Sequence, residues 1–481
     1  MKHWWKRLLP GALALLLLAG CGRRTPTAAD LLDPESPVYL TVWHYYNGAQ
    51  LTAFNGLVDE FNRTRGKELG IVVEGFSHGS VTDLENNVLN AAEGNVGADE
   101  IPNMFAAYAD NAYAIDQMGL AADLTEYLTQ EELNRYVDSY IDEGRFSDDG
   151  SVKIFPLAKS VELFLLNKTD WEPFAQATGA DYKDFSTIEG LVSTAQAYYE
   201  WTDQQTPEPN DGKAFFGRDA MANYLLIGAM QLGTEIFSVK NGEFHLDLNK
   251  ETMRTLWDNY YIPYIKGYFA AAGRFRSDDV KTGTVLSFVG SSSGATFFPD
   301  QVISSDTESY PIEMDVFPCP QFSDSQPYAV QQGAGMVVTK GEPTEVYASI
   351  EFLKWITQDE NNIEFSVDSG YLPVSKSAND MELIRAQKGE IKPVMEQILS
   401  VAVDTVNQNT LYTPKAFAGG STGRAILEDA MSQTAVADRV VVKERLAQGE
   451  SLGQATAEFT SDEYFTQWYQ ETLAQLEALT K

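Results

Sequence analysis

Strand-like and helix-like segments alternate along the first part of the chain, and this alternation limits the possible folds more than any other feature. Residues 38–43 and 71–76 are apolar and rich in β-branched side chains, as is typical of buried strands. Between them, apolar residues are spaced as on one face of a helix: Leu51, Phe54, Leu57, Val58 and Phe61. A third apolar segment at 101–108 is followed by a short helical one. Strands joined through helices favour a parallel sheet covered on both faces, so we predict an α/β fold.

Polar and aromatic side chains follow the first and third predicted strands. In parallel sheets a ligand lies beyond the carboxyl ends of the strands, so segments 43–47 and 108–111 are expected to meet at one cleft. Planar rings can pack against a sugar, and carboxylate or amide groups can bind its hydroxyls. The candidate contacts in these segments are Trp43, Tyr46, Asn47 and Asp110. Core packing of Trp43 and helix capping by Asp110 are the structural alternatives.

Charge and cysteine content exclude several classes of function. The 481 residues suffice for two to three domains, and 35 Lys and Arg against 69 Asp and Glu give a net charge of −34. Such a surface repels nucleic acid, so we expect no nucleic-acid partner. The chain has two cysteines, Cys21 and Cys319. If Cys21 is acylated, Cys319 cannot form an intramolecular disulfide, and the stability of the fold has to come from packing.

The N-terminus has the layout of a secretory signal peptide. A basic start is followed by the apolar run 8–19, which is too short to span a bilayer core of about 30 Å. The next residues, Leu18-Ala19-Gly20-Cys21, resemble the lipobox of bacterial lipoproteins. This resemblance implies that residues 1–21 are a lipoprotein signal peptide and lipobox, with Cys21 acylated and the chain anchored outside the cell membrane. Residues 22–37 are polar and contain prolines, which predicts a tether; a chance cysteine behind an ordinary signal peptide is the alternative.

Signs of catalysis or metal binding are weak. Residues 290–294 match the G-x-S-x-G motif of serine hydrolases, but no histidine follows Ser292, which excludes that arrangement. The segment is then either a ligand-facing loop, with Ser291 and Ser292 as candidate contacts, or a surface turn. The histidines and Cys319 lack the spacing of a metal site. We therefore expect no catalytic residue, no metal and no cofactor, although carboxylate pairs of a glycoside hydrolase stay open among 69 acidic residues.

Several segments, in this order, resemble the bacterial extracellular solute-binding proteins of ABC importers, a group that includes maltose-, glycerol-3-phosphate- and multi-sugar-binding proteins. The matching segments are Thr41-Val42-Trp43-His44-Tyr45, Pro156-Leu157-Ala158-Lys159-Ser160-Val161-Glu162, Gly333-Ala334-Gly335, Phe352-Leu353-Lys354-Trp355 and Gly370-Tyr371-Leu372-Pro373-Val374. The resemblance implies the two-lobed fold of periplasmic binding proteins, in which α/β lobes joined by crossing strands close on a ligand like a hinge.

The family fold also implies where the chain divides. The expected hinge crossings are near 156–163, 314–320 and 366–374. The expected first lobe is 38–156 with 318–365, and the expected second lobe is 163–313 with 375–481.

The same resemblance adds candidate ligand contacts. Ser160 stands where maltose-binding relatives present a ligand-contacting side chain, but it is not the carboxylate of those relatives, which argues against maltose. Glu162 and Tyr371 lie on the same crossing segments. Arg424 follows a glycine-rich segment that loosely resembles the anion-contacting region of glycerol-3-phosphate binders, and the N–H groups of a helix start suit an anion. A surface arginine at a helix N-terminus is the alternative for Arg424.

Together, these features predict the lipid-anchored receptor of an ABC importer. It would capture a carbohydrate or a related small polar solute by lobe closure and deliver it to the transmembrane subunits of a permease. The expected partners are the solute, the permease and the membrane through the lipid on Cys21, and the chain is expected to be a monomer. A surface-anchored glycoside hydrolase is the alternative function.

Overall fold

The computed structural model describes residues 30, 32–147, 149–240, 242–305 and 307–480. The predicted signal peptide and lipobox, including Cys21, lie outside these residues, and so do residues 22–29 and 31 of the predicted tether. None of the helices in the described ranges has the length and apolar character needed to cross a membrane.

The described residues form a mixed α/β structure, whose elements are numbered here in chain order. The strands are β1 (Val38–His44), β2 (Ile71–Ser77), β3 (Met104–Ala107), β4 (Glu162–Asn167), β5 (Phe216–Arg218), β6 (Phe237–Lys240), β7 (Glu243–Leu246), β8 (Ser287–Ser291), β9 (Gln301–Ser305), β10 (Glu308–Pro311), β11 (Met314–Pro318), β12 (Tyr328–Val330), β13 (Gly335–Val338) and β14 (Thr410–Tyr412). The helices are α1 (Gly48–Arg63), α2 (Arg65–Leu69), α3 (Val81–Ala92), α4 (Ala109–Gln117), α5 (Gln130–Leu133), α6 (Asp138–Asp142), α7 (Lys168–Thr178), α8 (Ile188–Asp203), α9 (Met221–Gln231), α10 (Lys250–Lys266), α11 (Arg276–Lys281), α12 (Pro343–Ile356), α13 (Asp359–Ser369), α14 (Met381–Lys388), α15 (Pro393–Gln408), α16 (Gly420–Ala447), α17 (Leu452–Thr456) and α18 (Asp462–Glu477).

The first sheet has the strand order β13-β3-β1-β2. The predicted parallel arrangement is correct for β1, β2 and β3, but β13 runs antiparallel to β3, so the complete sheet is mixed. This strand arrives from a distant part of the chain and not through a strand–helix–strand crossover, so nothing forces it to be parallel. The apolar face of α1 packs on α12, where the rings of Phe61 and Phe352 lie 5.0 Å apart. We call this sheet and its helices the first lobe.

The second sheet has the order β11-β4-β8-β5, in which β5 and β8 are the parallel pair. Every residue of β4 is buried, as expected for the central strand of a covered sheet. The long helix α16 packs on α10 and α9, and it shares its core with α18. The acidic C-terminal helices therefore help to build the core of this second lobe. At its centre the ring of Trp257 stacks on Tyr261 at 3.6 Å.

Chain segments pass side by side between the two sheets. Ser160 pairs with Gln332, and Lys159 pairs with Leu372, each through an isolated antiparallel bridge. The segment predicted as a crossing near 314–320 contains β11, which pairs with β4 at the edge of the second sheet. The chain leaves the second core after Phe322 and enters the first at Ala334. The lobe limits derived from the family resemblance stay predictions.

One glycine and a buried ion pair hold these crossing segments together. Gly333 has a φ of +89°, and a Cβ on it would collide with the Ala158 carbonyl oxygen at 2.6 Å. The Lys159 Nζ donates to the Gly333 carbonyl oxygen at 2.8 Å and forms an ion pair with Glu143. The Lys159 side chain is fully buried, so the crossing segments contain a charge that depends on one carboxylate.

Candidate functional site

A cavity of about 400 Å³ lies between the two lobes and is lined from both. The lining from the first lobe includes Glu85, Tyr108, Asp110 and Glu143. The lining from the second lobe includes Asn223, Phe237, Tyr412, Phe417, Gly420 and Arg424. The crossing segment at 330–332 closes one side. The volume of the cavity falls within the range of small-molecule sites, roughly 300–1,000 Å³.

Asp110 reaches the cavity because α4 begins directly after β3, which places the first helical turn at the carboxyl edge of the sheet. Burial raises the pKa of Asp110 to about 6; the Arg424 charge lowers this pKa, and the Glu143 charge raises it. Burial, together with the nearby Asp110, also raises the pKa of Glu85 on α3. The first-lobe wall is therefore a carboxylate surface that is partly withdrawn from solvent.

Arg424 is held by a chain of hydrogen bonds that leads back to the second sheet. Its Nη2 donates to the Asn223 Oδ1 at 2.7 Å, and the Asn223 Nδ2 donates to the Glu162 Oε1 at 3.0 Å. Glu162 also pairs with Arg218. Because each partner is engaged by the next, the guanidinium is oriented before any ligand arrives.

The two lobes touch at the start of α16. The helix begins at Gly420, after Gly419 in the left-handed conformation at φ +87°. A Cβ on Gly420 would overlap the Asp110 carboxylate, so with any other residue here either this side chain or the two lobes would have to shift. Asp110 thus lies against the N-terminal turn of a helix from the opposite lobe.

The crossing segment contributes amide groups to the cavity. The Gln331 Nε2 donates to the Glu143 Oε2 at 2.8 Å and to the Ser139 carbonyl oxygen at 3.2 Å. The Gln331 Oε1 is buried and has no hydrogen-bond partner among the described residues, and the same holds for the Gln332 Oε1. Both oxygens are therefore buried acceptors that receive no hydrogen bond from a described residue.

An aromatic wall completes the cavity on the second-lobe side. The rings of Phe244 and Phe417 stack at 4.0 Å, and Phe237 packs against Phe417 at 5.5 Å. Apolar rings beside carboxylates and amides suit a ligand with polar groups and an apolar face. No group of three or more potential metal ligands occurs within the described ranges.

A sequence profile described as bacterial extracellular solute-binding protein matches residues 56–391. The chain belongs to this family. The match covers the second sheet, three of the four strands of the first sheet and the crossing segments, so it confirms the family that the sequence motifs predict. No curated protein sequence matches the chain.

Solved structures of binding proteins share the two-lobed fold. The cyclic alpha-maltosyl-1,6-maltose binding protein from Arthrobacter globiformis is 18% identical, with a TM-score of 0.64 over 93% of this chain and 100% of that one. UgpB from Mycobacterium tuberculosis, in complex with glycerophosphocholine, is 20% identical, with a TM-score of 0.65 over 93% of this chain and 100% of UgpB. The GacH receptor of Streptomyces glaucescens is 15% identical, with a TM-score of 0.61 over 91% of this chain and 98% of the receptor. At these identities the likeness shows the fold, and it confirms the predicted periplasmic-binding-protein architecture.

Of the contacts predicted from this family and from the sequence, Asp110 and Arg424 line the cavity. Trp43 lines a different cavity, of about 260 Å³, with Asn87 and Asp99, and packs on the His78 ring at 4.6 Å. Trp43 and Asp110, expected beside one cleft, therefore lie at two separate cavities. Contact with a ligand remains a prediction for all the candidate residues.

The aromatic candidates and Asn47 have structural partners. Tyr46 is 1% exposed and packs against Tyr371 at 5.9 Å between ring centres. The Tyr371 hydroxyl lies 3.4 Å from that of Tyr45. Asn47 precedes α1, and its Nδ2 donates to the Gly79 carbonyl oxygen at 2.6 Å. These residues shape the first lobe beside the cavity but are not part of the lining.

The candidates on the crossing strand and the serine segment also lie outside the lining. Ser160 is 2% exposed, and its backbone pairs with that of Gln332. Glu162 supports Arg424 through Asn223, as described above. The Ser291 hydroxyl accepts from the Gly294 N–H at 2.9 Å, and the Ser292 N–H donates to the Val161 carbonyl oxygen at 2.8 Å. The G-x-S-x-G segment is thus a turn packed against the crossing segment at Val161.

The sequence analysis does not identify several of the residues that line the cavity between the lobes. Asn223 is 2% exposed in helix α9, whose sequence is mostly apolar, and a polar residue in such a helix is a signal that the sequence does contain. Gln331 and Gln332 likewise interrupt the apolar sequence that runs from β12 to β13. Nothing distinguishes Glu85 or Glu143 from the other acidic residues of the sequence.

Proposed function

We propose that this protein is the solute-binding component of an ABC importer and that it captures a carbohydrate or a related small polar solute. The observation that carries the proposal is the cavity of about 400 Å³ between the lobes, with Asp110 on one side and Arg424 on the other. A solute there would touch both lobes at once. Only the closed arrangement offers contacts from both sides, so the solute would shift the equilibrium toward closure.

The chemistry of the lining supports a polyhydroxylated solute. Carboxylate and amide oxygens accept hydrogen bonds from hydroxyl groups, and the Phe237 and Phe417 rings offer surfaces for the C–H faces of a sugar. The structural neighbours named above include a binding protein for cyclic alpha-maltosyl-1,6-maltose and proteins solved in complex with acarbose and with glycerophosphocholine. Capture without chemical change, followed by docking of the closed form on the permease subunits, completes the proposed cycle. The segments that bridge at Ser160–Gln332 and Lys159–Leu372 would form the hinge.

Isothermal titration against a panel of neutral oligosaccharides tests this proposal. We expect one or more panel members to bind with 1:1 stoichiometry and to be recovered unchanged after incubation. Binding to none of them would argue against a carbohydrate receptor. Release of shorter products from a panel member would favour the glycoside hydrolase instead.

The lipid anchor is part of the same proposal. If Cys21 is acylated, replacing it (Cys21→Ala) removes the attachment site, and the protein should move from the membrane fraction to the soluble fraction. Affinity for the solute should stay as in the parent protein, because the cavity is formed by residues far along the chain. Fractionation followed by immunoblotting measures the change. Equal membrane partition of both proteins would exclude Cys21 as the anchor.

A further inference from the structure

The cavity of about 260 Å³ at Trp43 is lined only by residues of the first lobe. The lining consists of Trp43 at the end of β1, Asn87 and Asn90 on α3, and residues 95–99 in the loop that follows this helix. Because all of them belong to one lobe, a group bound there would not need the two lobes to close. We call this cavity the Trp43 cavity.

The helix α3 separates the Trp43 cavity from the cavity between the lobes. Val81 and Glu85 line the cavity between the lobes, whereas Asn87 and Asn90 line the Trp43 cavity. Successive residues of a helix are about 100° apart, so these two pairs lie on opposite sides of α3. The two cavities share no lining residue.

The amide side chains around the Trp43 cavity are held by hydrogen bonds of their own. The Asn95 Nδ2 donates to the Asn90 Oδ1 at 3.0 Å and to the Glu93 Oε2 at 2.9 Å. The Asn87 Nδ2 donates to the His78 Nδ1 at 2.9 Å. These contacts orient the amides before a ligand arrives, so that binding immobilises fewer side chains.

Donors and acceptors both remain free in this cavity. Trp43 is only 7% exposed, and its Nε1 donates to no described residue, although this atom is not enclosed by protein. The Asn90 Nδ2 is a second free donor. The Asn87 Oδ1, the Asn95 Oδ1 and the Asp99 carboxylate accept no hydrogen bond within the described part of the chain. A matching ligand therefore has to offer acceptors and donors together.

This mixture of groups distinguishes between classes of ligand. A metal ion would meet two N–H donors, and an anion would meet the Asp99 carboxylate. A hydroxyl group donates and accepts at once, and a sugar carries several hydroxyls on one ring. The volume is just under the roughly 300 Å³ at which small-molecule sites begin, which favours one or two sugar units.

We propose that the Trp43 cavity is a second saccharide site, separate from solute capture between the lobes. The Trp43 Nε1 and the Asn90 Nδ2 donate to sugar oxygens. The Asn87 and Asn95 side-chain oxygens and the Asp99 carboxylate accept from sugar hydroxyls. The site takes a neutral sugar unit whether the lobes are open or closed, because one lobe supplies every contact.

Fluorine NMR of the full-length protein labelled with 5-fluorotryptophan tests this proposal. The chain has eight tryptophans, and the Trp43 signal is the one that Trp43→Phe lacks. We expect this signal to shift saturably with at least one of maltotriose, cellotriose and xylotriose. A few hydrogen bonds at an open site give weak binding, with a dissociation constant on the order of 1 mM. A Trp43 signal that none of the three sugars shifts would overturn the proposal.

A pair of variants on α3 tests the contacts themselves. Asn90→Ala removes one donor of the site and the acceptor that holds Asn95, and Asn86→Ala is the matched control, because Asn86 is also exposed on α3 but lines neither cavity. We expect Asn90→Ala to weaken sugar binding at Trp43 about five- to tenfold, the usual effect of one lost hydrogen bond. Asn86→Ala should bind as the parent does. Equal affinities in the two variants would contradict the proposal.

A variant at the contact between the lobes shows whether Trp43 only reports on closure. Gly420→Ala adds a methyl group that overlaps the Asp110 carboxylate of the other lobe, far from the lining at Trp43. The Trp43 signal should respond to the sugar with the affinity of the parent. A response that weakens together with solute binding between the lobes would overturn the second site.

Triglycine tests the class of ligand, because it offers amide donors and acceptors but no sugar hydroxyls. We expect it to leave the Trp43 signal in place. A saturable shift with triglycine and none with the sugars would identify a peptide site and overturn the saccharide proposal.

The second site and the proposed solute capture can fail separately. Solute capture fails if no oligosaccharide binds in a way that Gly420→Ala weakens, whatever the Trp43 signal does. The second site fails if the Trp43 signal does not respond, or responds equally in Asn86→Ala and Asn90→Ala, even when a solute binds between the lobes.

Discussion

Replacing Lys159 with methionine (Lys159→Met) is expected to lower the free energy of unfolding by about 3–5 kcal/mol, the usual cost of leaving a buried charge without its partner. The Lys159 side chain is fully buried, and that of Glu143 is 4% exposed. Without the ammonium group, the Glu143 carboxylate has to be protonated or exposed, and the Gly333 carbonyl oxygen loses its donor at 2.8 Å. Urea unfolding followed by circular dichroism measures the loss.

An exposed ion pair provides the control for this experiment. Lys168 lies 3.4 Å from Glu313, with side chains 34% and 77% exposed, so Lys168→Met should cost no more than about 1 kcal/mol. The double variant Lys159→Met with Glu143→Gln should recover much of the lost stability, since it no longer buries an unpaired charge. A loss from Lys159→Met as small as that of the control would mean that the ion pair between Lys159 and Glu143 is not buried in solution.

Replacing Gly420 with alanine (Gly420→Ala) is expected to weaken binding of the best panel solute by about 10- to 100-fold. The added methyl group would overlap the Asp110 carboxylate, and relief of such an overlap costs about 1–3 kcal/mol. A loss of 1.4 kcal/mol corresponds to a factor of about ten in affinity. The two lobes could then no longer approach as closely at the start of α16. Isothermal titration with the same solute measures the effect.

Gly453 offers a matched substitution, because it also lies in the first turn of a helix but has nothing within 4 Å of an added Cβ. Gly453→Ala should leave solute affinity unchanged. Both variants should unfold at temperatures similar to the parent, since alanine is favourable in helices. Unchanged affinity in Gly420→Ala would show that the contact between Asp110 and Gly420 is absent from the solute-bound arrangement.

The local pattern of the sequence predicts many elements of the fold. The helix predicted between the first two strands is α1, and the short helix predicted after the third strand is α4. Apolar periodicity is a local property of the sequence, so it indicates a helix or strand without reference to distant parts of the chain. The same reasoning places Asp110 at the carboxyl edge of a sheet, because the position follows from a strand and a helix adjacent in sequence.

Residues that depend on distant neighbours are harder to place. Trp43 follows the same local rule as Asp110, but its ring packs on His78 beside a different cavity. Residues 155–160 form only single bridges, to Met336, Leu372 and Gln332, and the regular strand β4 begins at Glu162. Which segment crosses between the lobes is decided by pairing partners far away in the chain, and no local pattern contains that information.

The sequence by itself determined the family, the α/β class of the fold and the location of one wall of the site, since these follow from local periodicity and from motifs in a recognisable order. Only the tertiary structure decided that Asp110 faces the start of α16 and that Asn223 joins Arg424 to Glu162. Both contacts connect residues separated by long stretches of chain. Their formation depends on how two separately packed cores are held against each other by the crossing segments, and that arrangement is a property of the whole folded chain.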